Sequence, residues 1–251
     1  MNLDDLARTL PGFDWSLALV YLRIQAMILA LPGFGERVLP VRVKVAIAMA
    51  LSPLMTELAP AATMPETPQA ILAAALPEIV IGFAAGTLLR IIAIAMDMAA
   101  TAIAMTASLA QLIGGTGDSA PHPIGNMLHL GGLAVLFALG LPAMLVDLIA
   151  DTFVIWPSGG LPDIATLAPA AAGFVAQSFG LAMLLAAPFI LGGLLFQALS
   201  GVINRVMPAL PVVFIGAPAA ILLALVALAL FVPMIVSLWA DAVLSFTLPR
   251  P

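Results

Sequence analysis

Residues 70–111 read AILAAALPEIVIGFAAGTLLRIIAIAMDMAATAIAMTASLAQ, and this stretch decides the fold class. It holds a single proline, Pro77, and its charged side chains are limited to Glu78, Arg90 and Asp97. A helix of this length would extend for about 60 Å, which is about twice the thickness of a bilayer core. We therefore expect helical structure that bends into a hairpin, tilts strongly or rises out of the hydrocarbon.

The apolar character of this stretch extends over the whole chain. Of its 251 residues, 63% are hydrophobic and 8% are charged, whereas soluble domains carry about 25% charged residues. Further apolar runs cover residues 15–31, 45–58, 124–153, 167–200 and 212–244. The sequence therefore predicts an all-α, polytopic membrane protein of helical hairpins with about six crossings. Basic residues within 32–44 place that connection inside and the N-terminus outside.

Several classes of function are disfavoured by what the sequence lacks. The net charge of −5 is scattered and forms no basic block, which argues against nucleic-acid binding. The absence of cysteine excludes disulfides and thiolate metal sites. The GGTG at 114–117 lacks the Lys-Ser/Thr of a phosphate-binding loop, and His122 and His129 have no acidic residue at metal-ligand spacing. We expect no metal, no cofactor and no enzymatic activity.

Charged and small residues inside the apolar runs are candidates for helix–helix contacts. Arg90 and Asp97 are two helical turns apart on nearly one face, so we expect them to face protein or water, paired with each other through a neighbour or with another subunit. Glu78, which lies nearer the end of a run, is expected to reach water. Gly82 and Gly86 form a GxxxG motif, which is typical of close helix packing within a membrane.

The most polar mid-chain segment is LIGGTGDSAPHPIGN, residues 112–126. Its glycines permit positive φ, and Pro121 and Pro123 prevent it from joining the flanking helices. On the residues alone it is either a plain surface turn or a flexible gate. The candidate gate residues are Leu112, Ile113, Gly114, Gly115, Thr116, Gly117, Asp118 and Ser119.

Two stretches resemble the signatures of the FliR family of flagellar biosynthetic proteins and its counterparts in virulence-type secretion systems. They are RIQAMILALPGFGERVLPVRVKVAIAMALSPLM (23–55) and NRVMPALPVVFIGAPAAILLAL (204–225). The matching positions are Pro32, Phe34, Gly35, Pro40, Arg42, Arg205, Pro208, Phe214, Gly216 and Pro218. Ala209, Pro211 and Ser119 depart from the family pattern and leave flagellum versus injectisome open.

The resemblance implies that residues 1–251 form a single export-gate subunit, with approximate halves 1–126 and 127–251 flanking the 112–126 loop. It implies assembly with FliP-like and FliQ-like membrane subunits into a helical channel, in which this loop is the plug. FlhB-like and FlhA-like export components, unfolded exported chains and membrane lipid are the further partners implied, with no nucleic acid. The implied location is the bacterial inner membrane, in the flagellar basal body. The alternatives are an injectisome gate subunit, a small-solute permease and a purely structural membrane scaffold.

Overall fold

The computed structural model describes residues 14–36, 38–106, 123–207 and 212–250, with side chains at 105–106, 123–124 and 212–221 outside the description. Every regular element in these ranges is an α-helix, which confirms the predicted all-α fold. The helices are α1 (Trp15–Ala30), α2 (Val41–Thr56), α3 (Pro68–Ala93), α4 (Ala95–Thr106), α5 (Pro123–Leu139), α6 (Leu141–Ile155), α7 (Ile164–Val206) and α8 (Val212–Leu244).

Helix boundaries differ from the apolar runs at a few informative places. The run 70–111 does not form a hairpin at its centre; α3 and α4 are separated only by Ile94. The run 124–153 is broken at Gly140, whose φ of 113° is left-handed and suits a residue without Cβ. Helix α7, in contrast, is 43 residues long and continues through Pro188 and the Gly192-Gly193 pair.

Three helical runs are long and apolar enough to cross a membrane, namely Pro68–Ala104, Ile164–Val206 and Leu222–Leu244. The broken pair α5 and α6 brings the number to four if it counts as one span. Helices α1 and α2 have 16 residues each, fewer than the about 20 that a bilayer core requires. The count of about six crossings is therefore wrong for the described residues.

The described chain folds into two compact units, each assembled from separate stretches of sequence. The first unit consists of the described parts of Met1–Ile92, Gly140–Val175 and Leu244–Pro251, and the second of those of Ala93–Leu139 and Ala176–Val243. This division differs from the halves 1–126 and 127–251, which stay a prediction.

Helix α1 is the core element of the first unit. Val20, Ile24, Met27 and Ile28 are all at most 1% exposed, so that several faces of the helix are covered by protein. Asp14 begins the helix as its N-cap, because its carboxylate accepts a hydrogen bond from the amide of Ser16 at 3.0 Å. A helix covered in this way positions polar side chains where neither lipid nor water reaches them.

Candidate functional site

One face of α3 carries Glu78, Gly82, Gly86 and Arg90, spaced four residues apart. Residues at this spacing form a ridge along a helix, so the four side-chain positions lie nearly in line. These residues lie against α1 and the turn after it. Glu78 and Arg90, at the two ends, each form an ion pair, and the two glycines lie between them. We call these four residues the α3 row.

The two glycines of the α3 row let the backbones of α1 and α3 approach closely. A Cβ added at Gly82 would lie 2.0 Å from the carbonyl oxygen of Arg23, and one at Gly86 would lie 2.6 Å from that of Met27. No side chain fits at these positions without moving α1. The GxxxG prediction of close helix packing is confirmed, and its partner helix lies in the same chain.

Arg23 on α1 is fully buried, with 0% of its surface exposed. Its Nε donates to Oε2 of Glu78 at 2.6 Å, and its Nη1 donates to the carbonyl oxygens of Thr152 and Trp156 at 3.1 Å each. Its guanidinium carbon is 4.2 Å from the centroid of the Phe153 ring, which is the geometry of a cation–π contact. The carbonyls belong to the C-terminal end of α6, where a cation also compensates the helix dipole.

Glu78 completes the cluster from the other side. Its second oxygen, Oε1, accepts a hydrogen bond from the amide of Gly159 at 3.2 Å, so the carboxylate joins Arg23 to the turn after α6. Glu78 is 1% exposed, and the expectation that it reaches water is therefore wrong. A fully buried Arg–Glu pair needs further hydrogen bonds to offset desolvation, and these carbonyl and amide partners supply them. We call Arg23, Glu78 and the end of α6 the Arg23 cluster.

The N-terminal signature forms a tight turn between α1 and α2. Gly33 has a φ of 76°, and a Cβ at Gly35 would lie 2.5 Å from the carbonyl oxygen of Leu29, so both positions require glycine. Lys44 is buried and donates to the carbonyl oxygens of Gly35 and Glu36 at 2.9 Å each. Pro32 and Phe34 are buried in the same turn, and Pro40 immediately precedes α2.

Arg90 and Asp97 have different partners, each within its own unit. Arg90 is 3.3 Å from Oε1 of Glu36, in the turn after α1. Asp97 on α4 lies 2.5 Å from Nδ1 of His129 on α5. Arg90 lies near the end of α3 and Asp97 in the first turn of α4, on either side of Ile94, and their partners are separate. Pairing of these residues between subunits stays a prediction.

The remaining predicted site residues fall in three groups. The gate residues Leu112–Ser119 and Pro208 lie outside the described residues. Phe214, Gly216 and Pro218 belong to α8, of which only the backbone is described there. Arg42 is exposed on α2, and Arg205 is exposed in the last turn of α7, where a cation suits the helix dipole. Within the described ranges no group of three metal-ligating side chains is present.

The buried hydrogen bonds of Arg23, Glu78 and Trp239 were not predicted from the sequence. A usable signal existed for the first pair, because an arginine within an apolar helix needs a buried anion, and Glu78 lies four residues before a GxxxG motif on the same helix face. Trp239 gives no such signal, since an aromatic residue in an apolar helix is ordinary. Its indole nitrogen donates to the carbonyl oxygen of Ala93 at 2.9 Å.

Helical runs of membrane-spanning length, one of which packs against α1 through glycine contacts and a buried ion pair, define an all-helical integral membrane protein. The sequence profile of the family "Bacterial export proteins, family 1" matches residues 15–246. The chain belongs to this family.

Similar curated proteins carry the name flagellar biosynthetic protein FliR. The protein of this name from Caulobacter vibrioides is 29% identical over 89% of this chain and 91% of its own length. The one from Aquifex aeolicus is 28% identical over 90% and 89%, respectively. The one from Escherichia coli K12 is 29% identical over 85% and 83%.

Proposed function

We propose that this protein is a subunit of the flagellar type III protein export gate in the bacterial inner membrane. In this proposal it forms the protein-conducting channel with FliP-like and FliQ-like subunits at the centre of the flagellar basal body. FlhB-like and FlhA-like components act beside it, and unfolded protein chains pass through the assembly. The flagellar name of its relatives favours this system over an injectisome.

The observation that carries the proposal is the exposed apolar surface of α7. Its 43 residues correspond to about 65 Å of helix, more than twice a bilayer core of about 30 Å. Large apolar side chains are exposed from one end to the other, including Ile164 at 77% and Val206 at 72%. Lipid covers at most about half of such a helix. Burial against other protein subunits is the remaining way to remove this surface from water.

Purification from a native membrane tests the proposal. We expect the affinity-tagged chain, extracted in mild detergent, to be recovered as a minority component with two other small membrane proteins. The reason is that an isolated chain would leave α7 and α8 uncovered along most of their length. A monodisperse, stable homo-oligomer that transports a small solute when reconstituted alone would contradict the proposal and favour the permease.

Residues 110–126 are the proposed plug of the channel. Their last four residues, 123–126, begin α5, so the expectation that Pro123 keeps this segment separate from the following helix is wrong. Support for the plug comes from its composition, which combines four glycines with polar residues, and from its two flanking helices. Asp97 and His129 link these helices at 2.5 Å, so the proposed plug extends from a clasped pair of helices. A polar, glycine-rich segment held between two paired helices is suited to block the channel until an exported chain pushes it aside.

Deletion of residues 114–119 is expected to leave assembly intact and to open a leak. Shortening the connection removes material from the lumen but leaves the Asp97–His129 pair and both helices in place. Conductance of the reconstituted complex to small ions measures the effect. Replacement of the same six residues by a Gly-Ser segment of equal length is the matched control and should leak less. An unchanged conductance in fully assembled deletion complexes would rule out the plug.

A further inference from the structure

A cavity of about 210 Å³ lies within the first unit. Its walls come from the start of α1, the connection between α2 and α3, the second turn of α3 and the turn after α6. Pro60, Ala61 and Thr63 on its wall are exposed, so the cavity opens to the surface. An apolar cavity of about 150 Å³ is large enough to bind benzene. This cavity therefore has room for one large apolar side chain.

The lining of the cavity is suited to an apolar occupant. It combines Trp15, Leu19 and Val20 of α1 with alanine and proline side chains of the connection between α2 and α3. Among the described residues no charged side chain lines the cavity, and the hydroxyl of Ser16 is already bonded to Asp14. An apolar group that enters removes its own surface and that of the lining from water, whereas a polar group loses its hydration without gaining a partner.

The cavity borders the Arg23 cluster. Gly159 lines the cavity, and its amide donates to Oε1 of Glu78 at 3.2 Å. Ser158 lines it as well, and its Oγ accepts from Nη2 of Arg23 at 3.5 Å. Water that fills the cavity therefore comes next to the hydrogen bonds of the buried ion pair. An apolar occupant keeps the low dielectric in which such bonds are strongest.

The thirteen residues that precede the described chain, MNLDDLARTLPGF, carry a pattern that matches this cavity. Leu3, Leu6 and Leu10 recur at spacings of three and four residues, which is typical of one apolar face of a helix. Pro11-Gly12 follows this pattern and is a turn signal. A turn at this point reverses the direction of the chain before α1 begins.

The distance along the chain is short enough for this segment to reach the cavity. Leu10 is four residues before Asp14, the N-cap of α1, and so lies within at most about 14 Å of it. Leu19, on the cavity wall, lies about 8 Å along the helix axis on the other side of Asp14. A group on so short a tether has an effective concentration in the millimolar range, so a weak contact is enough to hold it.

We propose that residues 1–13, which we call the N-terminal strap, fold back over this cavity with Leu10 inserted in it. The strap keeps water from the Arg23 cluster and fastens the start of α1 to the connection between α2 and α3. The proposal rests on the cavity of the first unit and on the leucine spacing, and it does not depend on the proposed export function.

Cysteine labelling of the purified full-length protein tests the strap, since the chain has no cysteine of its own. Ala74→Cys, on the cavity wall, reports access to the cavity through its rate of reaction with a water-soluble maleimide. Leu10→Ser should raise this rate about tenfold, because burial of one large apolar side chain no longer favours the covered state. Ala73→Cys, exposed on α3 outside the cavity, is the matched control and should react at the same rate with and without Leu10→Ser.

A pair of cysteines tests the position of the strap directly. Leu10→Cys and Ala62→Cys together should form an intramolecular disulfide under mild oxidation, because Ala62 lies on the cavity wall. Leu10→Cys with Ala73→Cys should form none. The proposal is overturned if the first pair remains reduced, or if Leu10→Ser leaves the reaction of Ala74→Cys unchanged, as expected when lipid, detergent or another subunit covers the cavity. Equal acceleration at Ala73→Cys also overturns it, because that pattern indicates a general loss of stability.

Discussion

Replacement of Arg23 by methionine is expected to lower the free energy of unfolding by about 3–5 kcal/mol, the cost of removing one partner from a buried ion pair. The variant leaves Glu78, which is 1% exposed, without a cation. It also removes the donor that serves the carbonyl oxygens of Thr152 and Trp156 at the end of α6. The predicted loss therefore includes both an uncompensated charge and the disconnection of α6 from α1.

A second substitution should reverse much of this loss. Glu78→Leu in the Arg23→Met background removes the stranded carboxylate, and an apolar pair of similar volume is often close to neutral in place of a buried ion pair. We expect Arg23→Met/Glu78→Leu to recover more than half of the stability lost in Arg23→Met. The amide of Gly159 still loses its acceptor in the double variant, which keeps the recovery below complete.

Unfolding of the full-length chain in detergent, followed by circular dichroism, measures these differences. Arg42→Met is the matched control, because Arg42 is exposed on α2, and surface changes usually stay within about 0.5 kcal/mol. A double variant less stable than Arg23→Met would show that the unpaired charge is not the cause of the loss. Equal stability of Arg23→Met and Arg42→Met would contradict the buried cluster itself.

The elements whose limits are set by local sequence were predictable. The run predicted at 212–244 coincides with α8, and the run predicted at 15–31 closely matches α1, because long, mostly apolar runs bounded by polar or proline-rich segments leave helix as the main option. Close packing at Gly82 and Gly86 was also predictable, since small residues four apart are a local signal. The resemblance named the correct family from two short signatures.

The features that depend on distant residues were not predictable from patterns. Arg23 and Glu78 are 55 residues apart, so the sequence indicates that Arg23 needs a buried anion but does not specify the hydrogen bonds that bury the pair. The break at Ile94 has neither glycine nor proline. The carbonyl oxygen of Ala93, just before it, accepts a hydrogen bond from Trp239, 146 residues along the chain. In the opposite direction, Pro188 and Gly192 do not end α7, because a helix in apolar surroundings keeps its hydrogen bonds wherever it can.

Substitution of alanine at Gly82 is expected to destabilise the first unit by about 3 kcal/mol, at the upper end of what overpacking usually costs. The added Cβ would lie 2.0 Å from the carbonyl oxygen of Arg23 and 2.9 Å from its carbonyl carbon. These are backbone atoms, so no rotation of a side chain relieves the clash and α1 has to move away from α3. Movement of α1 at this point also withdraws Arg23 from Glu78, one helical turn along the α3 row.

Comparison with a glycine in open space isolates this effect from helix propensity. Gly180 lies in α7 with no described atom within 4 Å of an added Cβ, and Gly→Ala in such a helix is favourable by about 0.5–1 kcal/mol. We therefore expect Gly180→Ala to be neutral or stabilising in the same unfolding measurement. Because Gly82→Ala and Arg23→Met damage the same cluster, their combined loss should be clearly smaller than the sum of the two. Additive losses, or a Gly82→Ala variant as stable as Gly180→Ala, would mean that close approach of α1 and α3 does not position the Arg23 cluster.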